Sequence, residues 1–151
     1  MKTRSKNAFT LLELIVVMAI IAVLAGLFMT SYPASQRRAR DTQRRNDIRQ
    51  YQTALEIYAG THSDLYPIYG TVTNMATVCS GASLRVSQCI DDPNTSKHYR
   101  YISEGAGLRY VLWAEMEQKN DSGVVVYYIG CSNGLVGTST TAPTTSTCPA
   151  L

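Results

Sequence analysis

From Phe9 to Gln36 the chain carries one charged residue, Glu13, in a run dominated by Leu, Ile, Val and Ala. Its most apolar part, residues 9–29, would be about 31 Å long as a helix, close to the ~30 Å of a bilayer's hydrocarbon core. The pattern then inverts. Residues 35–47, SQRRARDTQRRND, hold Ala39 as their only apolar residue. This stretch is expected to stay solvated and off any core, with Arg37/Asp41 and Asp41/Arg45 at the i,i+4 spacing that supports a helix. From there Ile48, Tyr51, Leu55 and Tyr58 recur at three- and four-residue intervals, with Ala54 beside them. That is one apolar helix face able to pack on a domain. The pattern predicts a single helix that begins in the membrane, crosses a charged collar, docks only by its last turns and stops at Gly60.

Beyond residue 60 the helical period is lost. Residues 61–97 contain Tyr66-Pro67, Gly70, Gly81 and Asp92-Pro93 and read as a loop region. Strand signals follow at Tyr99–Ile102, at Leu108–Glu117 with Tyr110, Leu112 and Ala114 on one side, and at Val124–Ile129. Glu104-Gly105-Ala106-Gly107 and Asn120-Asp121-Ser122-Gly123 read as the turns between them. About three antiparallel strands packed on the amphipathic half of the long helix make a small α+β core. Residues 137–149, GTSTTAPTTSTCP, read as an exposed low-complexity loop closed by Cys148, of a composition also found in O-glycosylated tracts. The chain then divides into residues 1–8, a membrane helix over 9–33, its amphipathic continuation over 34–60, and a head over 61–151.

All four cysteines, Cys79, Cys89, Cys131 and Cys148, lie in the head. An even number beside an export signal points to two disulfides and an oxidising, non-cytoplasmic space. Three pairings are possible; the sequence-local one, Cys79–Cys89 with Cys131–Cys148, leaves the strands between Cys89 and Cys131 free to pair. No cysteine pair has zinc-knuckle spacing, and His62 and His98 lie far apart. The net charge of +3 is local: six arginines face two aspartates over residues 37–49, whereas five basic residues face eight acidic ones from residue 50 onward. Three basic residues precede the apolar run and five follow it over residues 37–45, so charge counting alone would orient the head inward. The cysteines argue the reverse, and folded domains translocate largely regardless of charge. DNA binding by the arginine cluster is disfavoured by its interleaved aspartates and by the lack of aromatics between Tyr32 and Tyr51.

A cleavable secretory signal would account for a basic start and an apolar run, but this run is longer than usual and no A-x-A site ends it. Glu13 needs a separate reason, because a carboxylate in a membrane helix is costly and should have a partner. No Lys or Arg lies one turn away. Phe9, four residues upstream, could offer only an α-amino group, and only after cleavage between Ala8 and Phe9.

Ala8-Phe9-Thr10-Leu11-Leu12-Glu13, after a leader holding Lys2, Arg4 and Lys6, resembles the prepilin peptidase site of type IV pilins and type II secretion pseudopilins. The resemblance implies a leader of residues 1–8, cleavage after Ala8, N-methylation of Phe9, and Glu13 offsetting the new terminal charge, that of a neighbouring subunit in a filament. Ala8 departs from the family's usual glycine. The likeness extends more loosely through Ala39–Arg45, Asp47-Ile48-Arg49, Ala54–Tyr58 and Tyr66-Pro67, to about residue 67. Ala22, Ala25 and Gly26 offer a flat patch for close helix packing, and Gly26 and Pro33 lower helix stability where related filaments unwind on assembly. The implied partners are other pilin subunits, the prepilin peptidase, an inner-membrane assembly platform, and membrane lipid before assembly. The implied location is the cytoplasmic membrane and then an extracellular filament or an envelope pseudopilus. Major pseudopilins bind calcium in the head, which makes Asn120, Asp121 and Ser122 weak candidate ligands; no other cofactor is expected. No catalytic motif such as G-x-S-x-G is present, and an enzyme is not expected. The reading is a filament subunit, with a major pseudopilin or a non-polymerising anchored binding domain as alternatives.

Overall fold

The computed structural model describes residues 9–151, leaving aside the side chains of residues 27–31. Helix α1 runs Leu11–Ala59 and passes through both Gly26 and Pro33. The chain divides into two units that meet within α1, Met1–Gln36 and Arg37–Leu151. In the first unit every large apolar side chain from Leu11 to Leu24 is exposed. Among the described residues no helix is long and apolar enough to cross a membrane; the apolar run expected over residues 9–29 continues past Gly26 into side chains that are not described.

The second unit is α+β. β1 (Thr73–Asn74), α2 (Met75–Gly81), β2 (Arg100–Ser103), β3 (Tyr110–Glu115), β4 (Tyr127–Cys131) and β5 (Val136–Ser139) follow α1 in the chain. The strands form one antiparallel sheet in sequence order. Register places Tyr101 opposite Leu112 and Leu112 opposite Gly130. Alternate residues therefore point to opposite faces. Tyr101, Tyr110, Leu112, Ala114 and Tyr128 join Ile48, Tyr51, Ala54 and Leu55 of α1 in the main core. Ile102, Val111, Trp113, Ile129 and Cys131 form a second buried cluster on the other face, with Cys148 packed against it. Burial on both faces is why β3 reads as a continuous apolar run and not as an alternation.

α1 ends as its periodicity indicates. Gly60 N–H still donates to Glu56 O at 3.0 Å, and the chain then turns through Ser63 and Asp64 at φ 58° and 62°. The core is rich in tyrosine, and most of its buried ring tips find an acceptor. Tyr101 donates to Pro67 O at 2.8 Å, Tyr51 to Ile90 O, and Tyr66 and Tyr110 both to Glu56. Burial pushes the Tyr51 and Tyr66 hydroxyls up to about 12.

The disulfides are Cys79–Cys89 and Cys131–Cys148, the sequence-local pairing. Three expectations need correction. The sheet has five strands, not about three. β5 occupies the start of the Thr/Ser-rich tail, because the Asn133-Gly134 turn folds the chain back on β4. Leu135 N–H donates to Asn133 Oδ1 at 3.1 Å, and Gly134 sits at φ 80°. Residues 61–97 are not all loop, since they hold β1 and α2.

The β2–β3 turn contains a glycine held against backbone. Gly107 has φ +70°, and a Cβ there would sit 2.9 Å from the Tyr66 carbonyl oxygen, to which backbone cannot yield. Gly107→Ala is expected to cost about 1–3 kcal/mol. Urea unfolding of the detergent-solubilised full chain should show a lower midpoint at unchanged slope.

Candidate assembly site

The start of α1 is closed by the chain itself. Thr10 backbone N–H donates to Glu13 Oε2 at 2.9 Å, the Thr10 hydroxyl donates to the same oxygen at 2.9 Å, and Glu13 N–H donates to Thr10 Oγ1 at 3.2 Å. This reciprocal exchange between the N-cap threonine and the glutamate three residues on is a capping box. Glu13 thus has a partner one turn upstream, on Thr10. The sequence carried the signal: Thr10-Leu11-Leu12-Glu13 has the T-x-x-E form, which a search for opposite charge overlooks. Among the described residues Glu13 is exposed and its Oε1 takes no hydrogen bond. Phe9 is 87% exposed. The expected cleavage residue Ala8 and the rest of residues 1–8 lie outside the described residues. Gly26 stands free, with nothing near an added Cβ, and Pro33 sits inside α1.

The second feature is in the collar, where the structure corrects the expectation that residues 35–47 stay off the core. Counting back from Ile48 by the same three- and four-residue steps reaches Arg44 and Asp41, and both are buried, Arg44 fully at 0% exposure. The Arg44 guanidinium donates from Nε and Nη2 to the two Asp92 oxygens at 2.6 and 2.7 Å. Nη1 reaches Asp41 Oδ1 at 2.7 Å, and Nη2 also reaches Glu117 Oε1 at 2.8 Å. Arg40 clasps Glu117 from outside at 2.8 and 2.6 Å. Asp41 then accepts the backbone N–H groups of Glu117 and Gln118 at 2.8 and 2.9 Å. Asp41 therefore pairs with Arg44 at i,i+3, and the expected Arg37/Asp41 and Asp41/Arg45 pairs do not form. One turn on, Asp47 accepts the Tyr99 hydroxyl at 2.6 Å.

Burial alone would lower the Arg44 pKa, but its bonds to Asp92, Glu117 and Asp41 outweigh burial and raise it. The Arg40 pair, opposed by burial and joined by Arg44, holds Glu117 down at about 2. Burial raises Asp47, with the Tyr99 bond working against it. Among the described residues no buried side-chain nitrogen or oxygen lacks a partner.

The outward face of the collar keeps Arg37, Arg38, Arg45 and Arg49. Arg45 lies over the Tyr128 ring, 5.6 Å from its centroid, and Arg49 donates to the Tyr128 hydroxyl at 3.3 Å. The candidate calcium ligands form a turn. Asn120 Oδ1 accepts the Ser122 and Val124 N–H groups at 3.1 and 2.8 Å, which uses its oxygen locally. Among the described residues no three His, Cys, Asp or Glu side chains are grouped to hold a metal.

Residues 3–29 match the family described as the prokaryotic N-terminal methylation motif, which is typical of type IV pilins and pseudopilins. The match begins within the segment expected to be a leader and runs over the capping box and the apolar part of α1. No curated protein and no solved structure matches the chain.

Two outcomes follow from the collar. Arg44→Ala leaves the Asp41, Asp92 and Glu117 carboxylates facing one another in a buried site, and a loss of about 3–5 kcal/mol is expected from urea titration. Arg44→Lys, which cannot make the paired contact to Asp92, should recover only part of it. Glu117 has a lowered folded pKa, so its stabilisation is complete above its ordinary value of about 4.3 and is lost as pH falls toward about 2. Glu117→Gln should lower the unfolding midpoint at pH 7 and flatten its decline across that acid window.

Proposed function

We propose that the protein is a structural subunit of a type IV pilus or pilus-like filament. It would be cut after Ala8 by a prepilin peptidase, N-methylated at Phe9, and assembled through the first part of α1. The observation that carries this reading is the methylation-motif match over residues 3–29. The exposed apolar helix supports it: a helix apolar all round needs lipid or other helices around it. The head supports it as well, since two disulfides suit an oxidising space outside the cytoplasm. A pseudopilus of a secretion system would use the same parts, and the alternatives differ in where the filament ends.

Cleavage before Phe9 replaces an amide with an ammonium group. Glu13 can keep Thr10 on one oxygen and offer the other to the ammonium of an adjacent subunit. In a medium without water, matching those charges offsets the cost of burying either. The positive charge exists only in processed chains, so the pairing would favour mature subunits over precursors.

Mass spectrometry of the native protein should find a chain beginning at methylated Phe9; an intact Met1 or a start beyond residue 30 would refute the reading. Glu13→Gln separates charge from capping, because the amide oxygen can still accept the Thr10 N–H. Filament yield is expected to fall about tenfold or more in this variant, the factor that a 1.4 kcal/mol interaction carries. Normal yield in Glu13→Gln would limit Glu13 to capping. Micrographs of cell-surface filaments distinguish pilus from pseudopilus.

A further inference from the structure

The sheet face turned away from α1 carries a cleft of about 350 Å³ that the assembly reading does not use. β2, β3 and β4 supply its floor, and the C-terminal segment supplies one wall. Arg100 stands opposite Trp113 in register, and Glu115 opposite Tyr127, so all four side chains project from the same face. Lys97 and His98 line the entrance from the segment before β2, and Pro143 closes the far side. The Cys131–Cys148 disulfide ties the segment bearing Pro143 back to β4. That wall is therefore a covalently held part of the head.

The charges in the cleft are unequal. Lys97 Nζ is matched by Glu115 Oε1 at 2.9 Å, and His98 Nδ1 by Asp91 Oδ2 at 2.6 Å. Arg100 donates from Nη1 to the neutral Asn74 Oδ1 at 2.7 Å, and among the described residues no carboxylate pairs with it. An aromatic floor thus lies beside a guanidinium with unmatched charge, an ammonium and a carboxylate. Arginine presents a planar fork of donors that suits an oxyanion. Lys97 and Glu115 supply a donor and an acceptor for hydroxyl groups, and the half-buried Tyr127, backed by the buried Trp113 and Pro143, supplies an apolar surface for a ring face. The volume lies at the lower end of ligand-sized clefts, about 300–1,000 Å³, and so admits one ring and not a folded partner.

We propose that this cleft binds an acidic sugar, a hexose-sized ring bearing a carboxylate, with Arg100 on the carboxylate and the ring against the Trp113 and Tyr127 side. The site is independent of filament assembly and would be present in the unassembled subunit.

Trp113 is the sole tryptophan of the chain, so intrinsic fluorescence reports on the cleft. The detergent-solubilised full chain is titrated with glucuronate, and separately with glucose and with inorganic phosphate at matched ionic strength. Glucuronate should give a saturable change that neither control reproduces. Arg100→Gln should weaken its midpoint about tenfold or more, as loss of a charge-assisted pair would. If Arg100→Gln disturbs the fold, Lys97→Met, from the segment outside the strands, removes charge at the entrance and should also weaken glucuronate. An absent or non-saturable response, an equal response to glucose or phosphate, or an unchanged midpoint in folded variants would overturn the proposal.

Discussion

The head is registered on its helix by one buried guanidinium. Apolar contacts along Ile48, Tyr51, Ala54 and Leu55 favour burial but tolerate small slides and rotations, since greasy surfaces lack direction. Arg44 does not tolerate them. Its donors meet Asp41 on the same helix, Asp92 from the segment before β2, and Glu117 just beyond β3. A shift of one residue would leave a charge buried without its partners, the costliest arrangement available to a protein interior. Three distant parts of the chain are thereby fixed at one point. Asp41 extends the constraint to the backbone by accepting the two N–H groups that follow β3.

Around that point the domain uses several modest devices. The sheet is covered on one side by α1 and on the other by a smaller cluster tied down through Cys131–Cys148. Small domains bury a limited fraction of their surface, and covalent staples commonly make up the difference. The tyrosines serve the same end. Tyr51, Tyr66, Tyr99, Tyr101 and Tyr110 each fill space as an apolar ring and hand the hydroxyl to a carbonyl or carboxylate, so the interior acquires directional bonds. Glu56 collects two of these hydroxyls, joining the last turns of α1 to the loop after it and to β3.

Much of this was legible in the chain. The 3.6-residue period over residues 48–58 announced the docked face, Gly60 its end, and the middle strands their approximate places. Of the three pairings left open, the sequence-local one is the one formed. Burial of Arg44 was not legible because a run of arginines and aspartates looks solvated when read locally, and its decisive partners lie 48 and 73 positions away. Even so, the helical period runs unbroken from Ile48 back to Arg44 and Asp41; the residue types changed while the geometry did not. β5 was hidden by composition, since Val136–Ser139 has little strand character of its own and owes its form to the ladder with β4. The Asn133-Gly134 pair before it was the available sign. At the N-terminus the charge of Glu13 stands out more than the plainer pattern, a threonine and a glutamate three residues apart.

That capping box would keep folding and the proposed processing apart. Its donors and acceptors all belong to Thr10 and Glu13, downstream of the bond between Ala8 and Phe9. Cutting that bond breaks none of them. Every bond that closes the helix end would survive the proposed cut, so folding would not wait on maturation. What the proposed cut would alter is electrical: a finished helix would gain a positive charge at its threshold, beside a carboxylate of which, among the described residues, one oxygen takes no hydrogen bond.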